Sequence, residues 1–282
     1  MIFIKPLTSG LYFSILTYSL IAGIIPQMSH ELRLDNSSNT EGLQTAPSSA
    51  YVLSAGFGTR METLTQGKFP KGLVEIEQGK VLLEFVFDIA KDNGVNKIVT
   101  CVSHQSEKII DFCAVKGWGS DVSFSIESTP QGVIKTFETG LKNFPPVEDF
   151  VLLHGDEIIA NFSLQSMYKF HLSHKGLATG LLSSNPQAKR TVIMKLDDNG
   201  KVSDSLRDSD AIHSDYLASL GLFIFSPKII NEVGRFKTWE EMVKTFSREG
   251  KLYGFSSKAY FFNINSPKDI SDFLDYKRNN KA

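Results

Sequence analysis

From about residue 51 the chain alternates short apolar runs with stretches in which apolar residues recur every three or four positions. The first pattern predicts buried strands and the second amphipathic helices. Residues 51–54 read as a strand that runs straight into a glycine turn. Residues 82–93 have helical spacing, with Leu83, Val86, Phe87 and Ala90 on one face and Gly94 just past the end. A strand at 97–102, a helix at 107–114, a strand at 122–127, a helix at 134–143 and a strand at 150–153 follow. Next come a helix at 164–174 and a strand at 178–183. Residues 191–196 and 201–203, joined by Asp198, Asn199 and Gly200, read as a hairpin. A strand at 218–225, a helix at 239–249, a strand at 260–264 and a helix at 269–277 close the pattern. Alternation on this scale predicts an α/β fold, a three-layer α/β/α sandwich around a mainly parallel, mixed central sheet.

The beginning of the chain has a different texture. Residues 6–29 contain no Asp, Glu, Lys or Arg, and residues 10–25 are strongly apolar behind Lys5. Residues 1–27 therefore have three readings: a signal peptide, a short membrane anchor, or an artefact of a gene whose translation starts at Met28. Residues 28–50, with Ser, Asn, Thr and Gly concentrated after residue 36, read as a flexible linker. The folded domain is expected over 51–282.

Composition narrows the partners. The 282 residues suffice for one large α/β domain or two small ones, and 41% hydrophobic with 22% charged residues is ordinary for a globular protein. The formal net charge is −1 and the basic residues are scattered, so no basic face for nucleic acid is expected. Cys101 and Cys113 alone build neither a disulfide framework nor a zinc site, and both are expected to be buried thiols. The 21 phenylalanines fall mostly at core positions. His171 and His174, one helical turn apart with no third ligand, read as surface helix residues; His154, beside Asp156, reads as a packed histidine, with sensing or orienting a ligand as the alternative.

The chemistry concentrates at Leu53-Ser54-Ala55-Gly56-Phe57-Gly58-Thr59-Arg60-Met61. A glycine turn after the first strand of an open α/β sheet is where such folds receive ligands, and successive backbone N–H groups there make an anion nest. A dinucleotide fingerprint would need a third glycine at Met61, and a Walker-type lysine is absent. About ten residues on stands Phe69-Pro70-Lys71-Gly72-Leu73. The pair G-x-G-T-R-[LM] and P-K-x-L resembles the signature of sugar-1-phosphate nucleotidyltransferases. The resemblance continues, in order, through residues 79–84, Glu127 to Gly132, the strand ending in Gly155-Asp156, the helix-to-strand passage 171–179, the hairpin, residues 221–227, and Phe262-Asn263-Ile264-Asn265-Ser266-Pro267-Lys268-Asp269.

That resemblance implies a Rossmann-like nucleotidyltransferase fold and in-line attack of a sugar 1-phosphate on the α-phosphorus of a nucleoside triphosphate, releasing pyrophosphate. It implies Arg60, Lys71 and Asp156 as catalytic residues. It implies nucleotide contacts from Leu53, Ala55, Gly56, Phe57, Gly58, Thr59, Arg60, Glu127 and Gly132. Mg²⁺ is the expected cofactor, held by Asp156 and the residue at 263, with Glu157 a weaker candidate. The departures are specific. Position 263 is Asn263 where the family has Asp, so the site loses a charge that tightens Mg²⁺ binding. Gly132 is followed by Val133, Ile134 and Lys135 rather than small residues, which would narrow or reshape the base and ribose pocket. The family's Glu-Lys-Pro segment is missing, with Arg207 or Arg190 as substitutes. These departures keep a second reading in view, a catalytically impaired relative that binds nucleotide and regulates a partner. The expected partners are a nucleoside triphosphate and a sugar 1-phosphate in the cytoplasm; membrane association through the N-terminus and homo-oligomerisation stay open. The chain runs only a short way past the closing motif, so the left-handed β-helix of some relatives is not expected.

Overall fold

A computed structural model describes residues 45–185, 192–207 and 215–280. The readings of residues 1–27, of the linker up to residue 44 and of Arg190 lie outside the described residues. In chain order the elements are β1 (Ser49–Leu53), α1 (Glu62–Thr65), β2 (Glu75–Glu77), β3 (Lys80–Val81), α2 (Leu82–Lys91), β4 (Lys97–Val102), α3 (Ser106–Val115) and β5 (Val122–Ile126). They continue with α4 (Val133–Asn143), β6 (Phe150–His154), β7 (Glu157–Ala160), α5 (Leu164–His174), β8 (Ala178–Ser183), β9 (Val192–Leu196) and β10 (Val202–Arg207). The last are β11 (Leu217–Phe225), α6 (Trp239–Arg248), β12 (Leu252–Ser257), β13 (Tyr260–Asn263) and α7 (Pro267–Asn279).

The central sheet runs β10-β9-β11-β6-β1-β4-β5, with β8 also paired to β11 and β12 to β8. Strands β6, β1, β4 and β5 are mutually parallel, as are β8 and β12, while β11 runs antiparallel to β6, β8 and β9. The two-residue period of a strand sends alternate side chains to opposite faces. Ala50 and Val52 of β1 pack with Val86 and Phe87 of α2, Ile109 of α3 and Met167 of α5. Tyr51, between them, packs with Phe137 and Leu141 of α4 and Phe246 of α6. That division is the three-layer sandwich expected from the alternation. The second face is rich in aromatic rings: Phe137 lies 5.2 Å from Phe225 and 6.1 Å from Phe150.

Local chemistry sets the helix starts. Ser163 and Thr238 accept the N–H groups of Ser166 and Glu241, both at 3.1 Å, and so cap α5 and α6. Ser266 caps α7, and Pro267 occupies the first turn, where its missing N–H costs nothing. Beside the main sheet, β7 and β13 pair antiparallel and pack Ile158 and Phe262 against Phe85 of α2 and Phe273 of α7.

Several elements differ from the sequence pattern. Strand β1 begins at Ser49, inside the stretch read as linker, because Ala50 is completely buried against the core. The short strands β2, β3 and β7 carry no signal long enough to separate from loops, and in the six-residue β12 Gly254, Ser256 and Ser257 blur the strand pattern. His171 is buried rather than on the surface, its Nδ1 2.8 Å from the Thr179 hydroxyl. Both cysteines are buried, and burial pushes the Cys101 thiol up to about 12 and Cys113 to about 11. No helix among the described residues is long and apolar enough to cross a membrane.

Candidate active site

Because β6, β1, β4 and β5 are parallel, their carboxyl ends share one edge of the sheet, and the functional residues gather there. Leu53, the last residue of β1, pairs with Cys101 of β4 and His154 of β6. The Gly155 N–H then donates to the Leu53 carbonyl at 2.9 Å. A Cβ at 155 would stand 1.9 Å from the Ser54 hydroxyl oxygen, so only glycine lets the two strand ends approach this closely. This contact sets Asp156 beside the 56–60 turn.

The turn is shaped for an anion. Gly58 has φ +65°, and a short 3₁₀ turn starts at Thr59. Among the described residues, the N–H groups of Gly56, Phe57 and Gly58 meet no acceptor. A Cβ on Gly56 would meet nothing within 4 Å, whereas one on Gly58 would stand 2.9 Å from Lys71 Cβ. One glycine therefore faces open space and the other packs against the lysine.

A cavity of about 440 Å³ opens at this point. Leu53, Gly56 to Arg60, Lys71, Asp156 and Asn263 all line it, as do His154, Glu157, Val133 and Asn265. Asp156 and Asn263 face the same space for a topological reason. Asn263 stands opposite Glu157 in the β7–β13 ladder, and the Ile264 N–H donates to the Asp156 carbonyl at 2.9 Å. Lys71 Nζ lies 2.8 Å from Asp156 Oδ2 and 2.8 Å from Asn265 Oδ1. The lysine side chain is 12% exposed and the aspartate 32%.

Electrostatics follow from this crowding of charges. Burial works against an ionised Asp156, yet Lys71, His154 and Arg60 together outweigh it and hold the carboxyl below its ordinary range. Burial draws Lys71 below the usual lysine value, Asp156 opposes that, and Arg60 adds to it. For His154, burial disfavours the charged ring, but the hydrogen bond its ring donates to Glu157 and the charges of Glu157 and Asp156 keep its pKa above the ordinary value.

Glu157 is otherwise committed. Its Oε2 accepts the Gly221 N–H at 2.8 Å and its Oε1 lies 3.2 Å from His154 Nδ1. Donor atoms of His154, Asp156 and Glu157 come within 4.8 Å of one another. Asp156 is the carboxylate of this group that faces the cavity without a structural duty elsewhere. A partly exposed carboxylate already matched to a cation, with an amide oxygen nearby, is an all-oxygen donor set that suits Mg²⁺.

Three residues named from the sequence stand apart from the cavity lining: Ala55, Glu127 and Gly132. Ala55 is buried behind the turn. Gly132, at φ +96°, precedes the first turn of α4. Glu127 follows β5; its Oε2 accepts the Thr136 hydroxyl at 3.1 Å, while Oε1 is buried without a partner. Burial raises its pKa, against the Thr136 hydroxyl, the Gln131 amide and the Lys135 charge. The expectation for the residues after Gly132 needs one correction: Ile134 is 4% exposed and belongs to the core, so it reshapes no pocket. Val133 alone lines the cavity. Arg207 is exposed and lies 3.5 Å from Glu240, outside the cavity. His154 and Asn265, outside the site residues expected from the sequence, also line the cavity. The sequence places His154 only two residues before Asp156, and shows Asn265 only as a letter of the closing motif.

The family model described as nucleotidyl transferase matches residues 49–249, which include the turn, Lys71 and Asp156. The chain belongs to the nucleotidyl transferase family. Among curated members it is similar to the mannose-1-phosphate guanylyltransferase catalytic subunit beta of Dictyostelium discoideum, at 25% identity over 78% of this chain and 62% of that protein. It is similar to a UTP–glucose-1-phosphate uridylyltransferase of Haloferax volcanii, at 29% identity over 64% of this chain and 73% of the other. A D-glycero-α-D-manno-heptose 1-phosphate guanylyltransferase of Aneurinibacillus thermoaerophilus shares 24% identity over 78% of this chain and 94% of its own length. The chain thus spans about three fifths of the amoebal relative and nearly all of the heptose one. Among solved structures, a Bacillus anthracis protein described as a glucose-1-phosphate thymidylyltransferase, crystallised with sucrose, superimposes with TM-score 0.70 at 14% identity, covering 83% of this chain and 96% of the other. That likeness supports the fold, and it agrees with the mixed α/β sheet found here.

Proposed function

We propose that the chain transfers a nucleoside monophosphate from a nucleoside triphosphate to a sugar 1-phosphate, releasing pyrophosphate and forming a nucleotide sugar. The observation that carries the reading is the convergence, in one cavity, of unpartnered turn N–H groups with Arg60, Lys71 and Asp156. Both reactants are anions, so the barrier is largely repulsion and misalignment, and preorganised positive groups lower it. The N–H groups of Gly56 to Thr59 would cradle the triphosphate. Arg60 would match phosphate oxygens with its planar fork, and Lys71 would bring a point charge to the reacting centre. Asp156, with the Asn263 amide oxygen, would hold Mg²⁺, which when bound supplies charge neutralisation to the phosphates.

For the base we propose guanine. Glu127 offers a buried, unpartnered oxygen next to the Gly132 turn. A carboxylate accepts hydrogen bonds only, and guanine presents two neighbouring donors on its Watson–Crick edge, whereas uracil and thymine present one donor between two acceptors. Two of the relatives named above are guanylyltransferases, which points the same way. The test is pyrophosphate release from each common nucleoside triphosphate against a panel of hexose and heptose 1-phosphates. Release should be fastest with GTP, and Glu127→Gln should cut the preference for GTP over UTP by about tenfold or more, the effect of mispairing one hydrogen-bonded site. Release with UTP or dTTP alone would overturn the guanine assignment.

A further inference from the structure

The two groups placed to face a divalent ion are already engaged with other partners. Asp156 Oδ2 receives the Lys71 ammonium at 2.8 Å. The same ammonium donates to Asn265 Oδ1 at 2.8 Å, and the Asn265 amide donates in turn to Asn263 Oδ1. Asn265 is itself fixed from behind. Its N–H donates to Asp269 Oδ2 at 2.8 Å, and that oxygen also accepts the Ser266 hydroxyl at 2.9 Å. Asp156, Lys71, Asn265 and Asn263 thus form one unbroken chain of hydrogen bonds with a single cation at its centre.

An ammonium held by a carboxylate makes a charge-assisted hydrogen bond, and a divalent ion seeking the same oxygen must first displace it. Without other acceptors for the ammonium the displacement is unfavourable, because Lys71 is largely buried and would lose its partner. A triphosphate changes the balance, since its oxygens offer the ammonium a second set of acceptors.

We propose that Lys71 is the resident counter-cation of Asp156 in the nucleotide-free protein, that Asn265 positions it there, and that the site therefore takes a divalent ion tightly only together with a triphosphate. The proposal rests on the reading of this cavity as a metal and triphosphate site. It gives Asn265 a role beyond shaping the turn, and it makes a wasteful metal-only complex unfavourable. Such gating needs no moving lid. It needs only that one cation be replaced by another as the phosphates arrive.

The test is a Mn²⁺ titration of the full chain without nucleotide, read from the electron paramagnetic resonance signal of free Mn²⁺. Lys71→Met should bind Mn²⁺ at least about tenfold more tightly than the wild type, the change expected when a charge-assisted bond no longer has to be broken. Lys71→Arg, which keeps the charge, should remain weak, and Asp156→Ala should abolish binding in every background. Should Lys71→Met fail to fold, Asn265→Ala serves instead: it frees both the lysine and Asn263 Oδ1 and should strengthen Mn²⁺ binding several-fold. Unchanged or weaker binding in these variants, with Asp156→Ala still abolishing it, overturns the gating and leaves the metal site standing. Mn²⁺ binding unaffected by Asp156→Ala overturns the metal reading and the gating with it.

Discussion

The two glycines of the 56–58 turn should fail in different ways when each is replaced by alanine. At Gly58 the backbone sits at φ +65°, which costs an L-residue about 1–2 kcal/mol. The added methyl would also stand 2.9 Å from Lys71 Cβ, inside any ordinary contact, so turn or lysine must shift. Taken together, Gly58→Ala should lose about 2–3 kcal/mol of stability. At roughly 2–4 °C per kcal/mol for a domain of this size, its melting point should fall by about 4–12 °C. Because the lysine moves, kcat should fall as well, by up to about a hundredfold if the preorganised charge is lost. Gly56 lacks both problems: its φ lies outside the left-handed region and a Cβ there meets nothing within 4 Å. Gly56→Ala should therefore melt within about 2 °C of the wild type. It should nevertheless raise the KM for the triphosphate, because the methyl occupies space a phosphate would use. Differential scanning fluorimetry with steady-state pyrophosphate release gives both readouts. Equal melting points for the two variants would refute the steric argument, and an unchanged KM in Gly56→Ala would refute the placement of the phosphates.

Other consequences are as direct. Asn263→Asp restores the carboxylate of the family pattern opposite Glu157 and should lower the Mg²⁺ concentration needed for half-maximal pyrophosphate release by about tenfold, the worth of one added charged ligand contact; an unchanged requirement would show that Asp156 alone suffices. Phe137→Ala empties a fully buried ring position against Phe150 and Phe225 and should cost about 3–5 kcal/mol in denaturant unfolding without touching the cavity. The hydrogen bonds of Lys135 and Lys142 hold the Glu138 carboxyl below its ordinary value of 4.5. A depressed folded-state pKa stabilises above the unfolded value and is lost as pH falls through the folded one. The melting-point gap between wild type and Glu138→Gln should therefore be present at neutral pH and close below about pH 4.5.

The fold was legible where burial was long and regular. The paired faces of residues 50–52 and the helical spacing of 82–91 are strong periodic signals, and the three layers follow from them. The small β7–β13 sheet and the β8–β12 pairing are less legible, because each joins segments distant in sequence: residues 157–160 meet 260–263, and residues 178–183 meet 252–257. Of the site, the turn, Lys71, Asp156 and Asn263 could be named because their motifs carry the chemistry in the letters. Asn265 could not, because its role arises from a lysine 194 positions away that only the fold brings to it. His154 hid for a similar reason: its neighbour Glu157 looks like a metal ligand in sequence, yet in the fold it is spent on Gly221 and the histidine ring.

The most direct test of the central claim is product analysis with an acceptor sugar 1-phosphate whose non-bridging phosphate oxygens carry ¹⁸O, incubated with GTP and Mg²⁺. The expected product is a GDP-sugar by mass spectrometry, with the label retained in its sugar-side phosphate and bridging oxygen, together with equimolar unlabelled pyrophosphate, and both products should be lost in Asp156→Asn and Lys71→Met. Label appearing in the pyrophosphate, product formation undiminished in those variants, or no nucleotide sugar from any triphosphate and sugar 1-phosphate pair would contradict it.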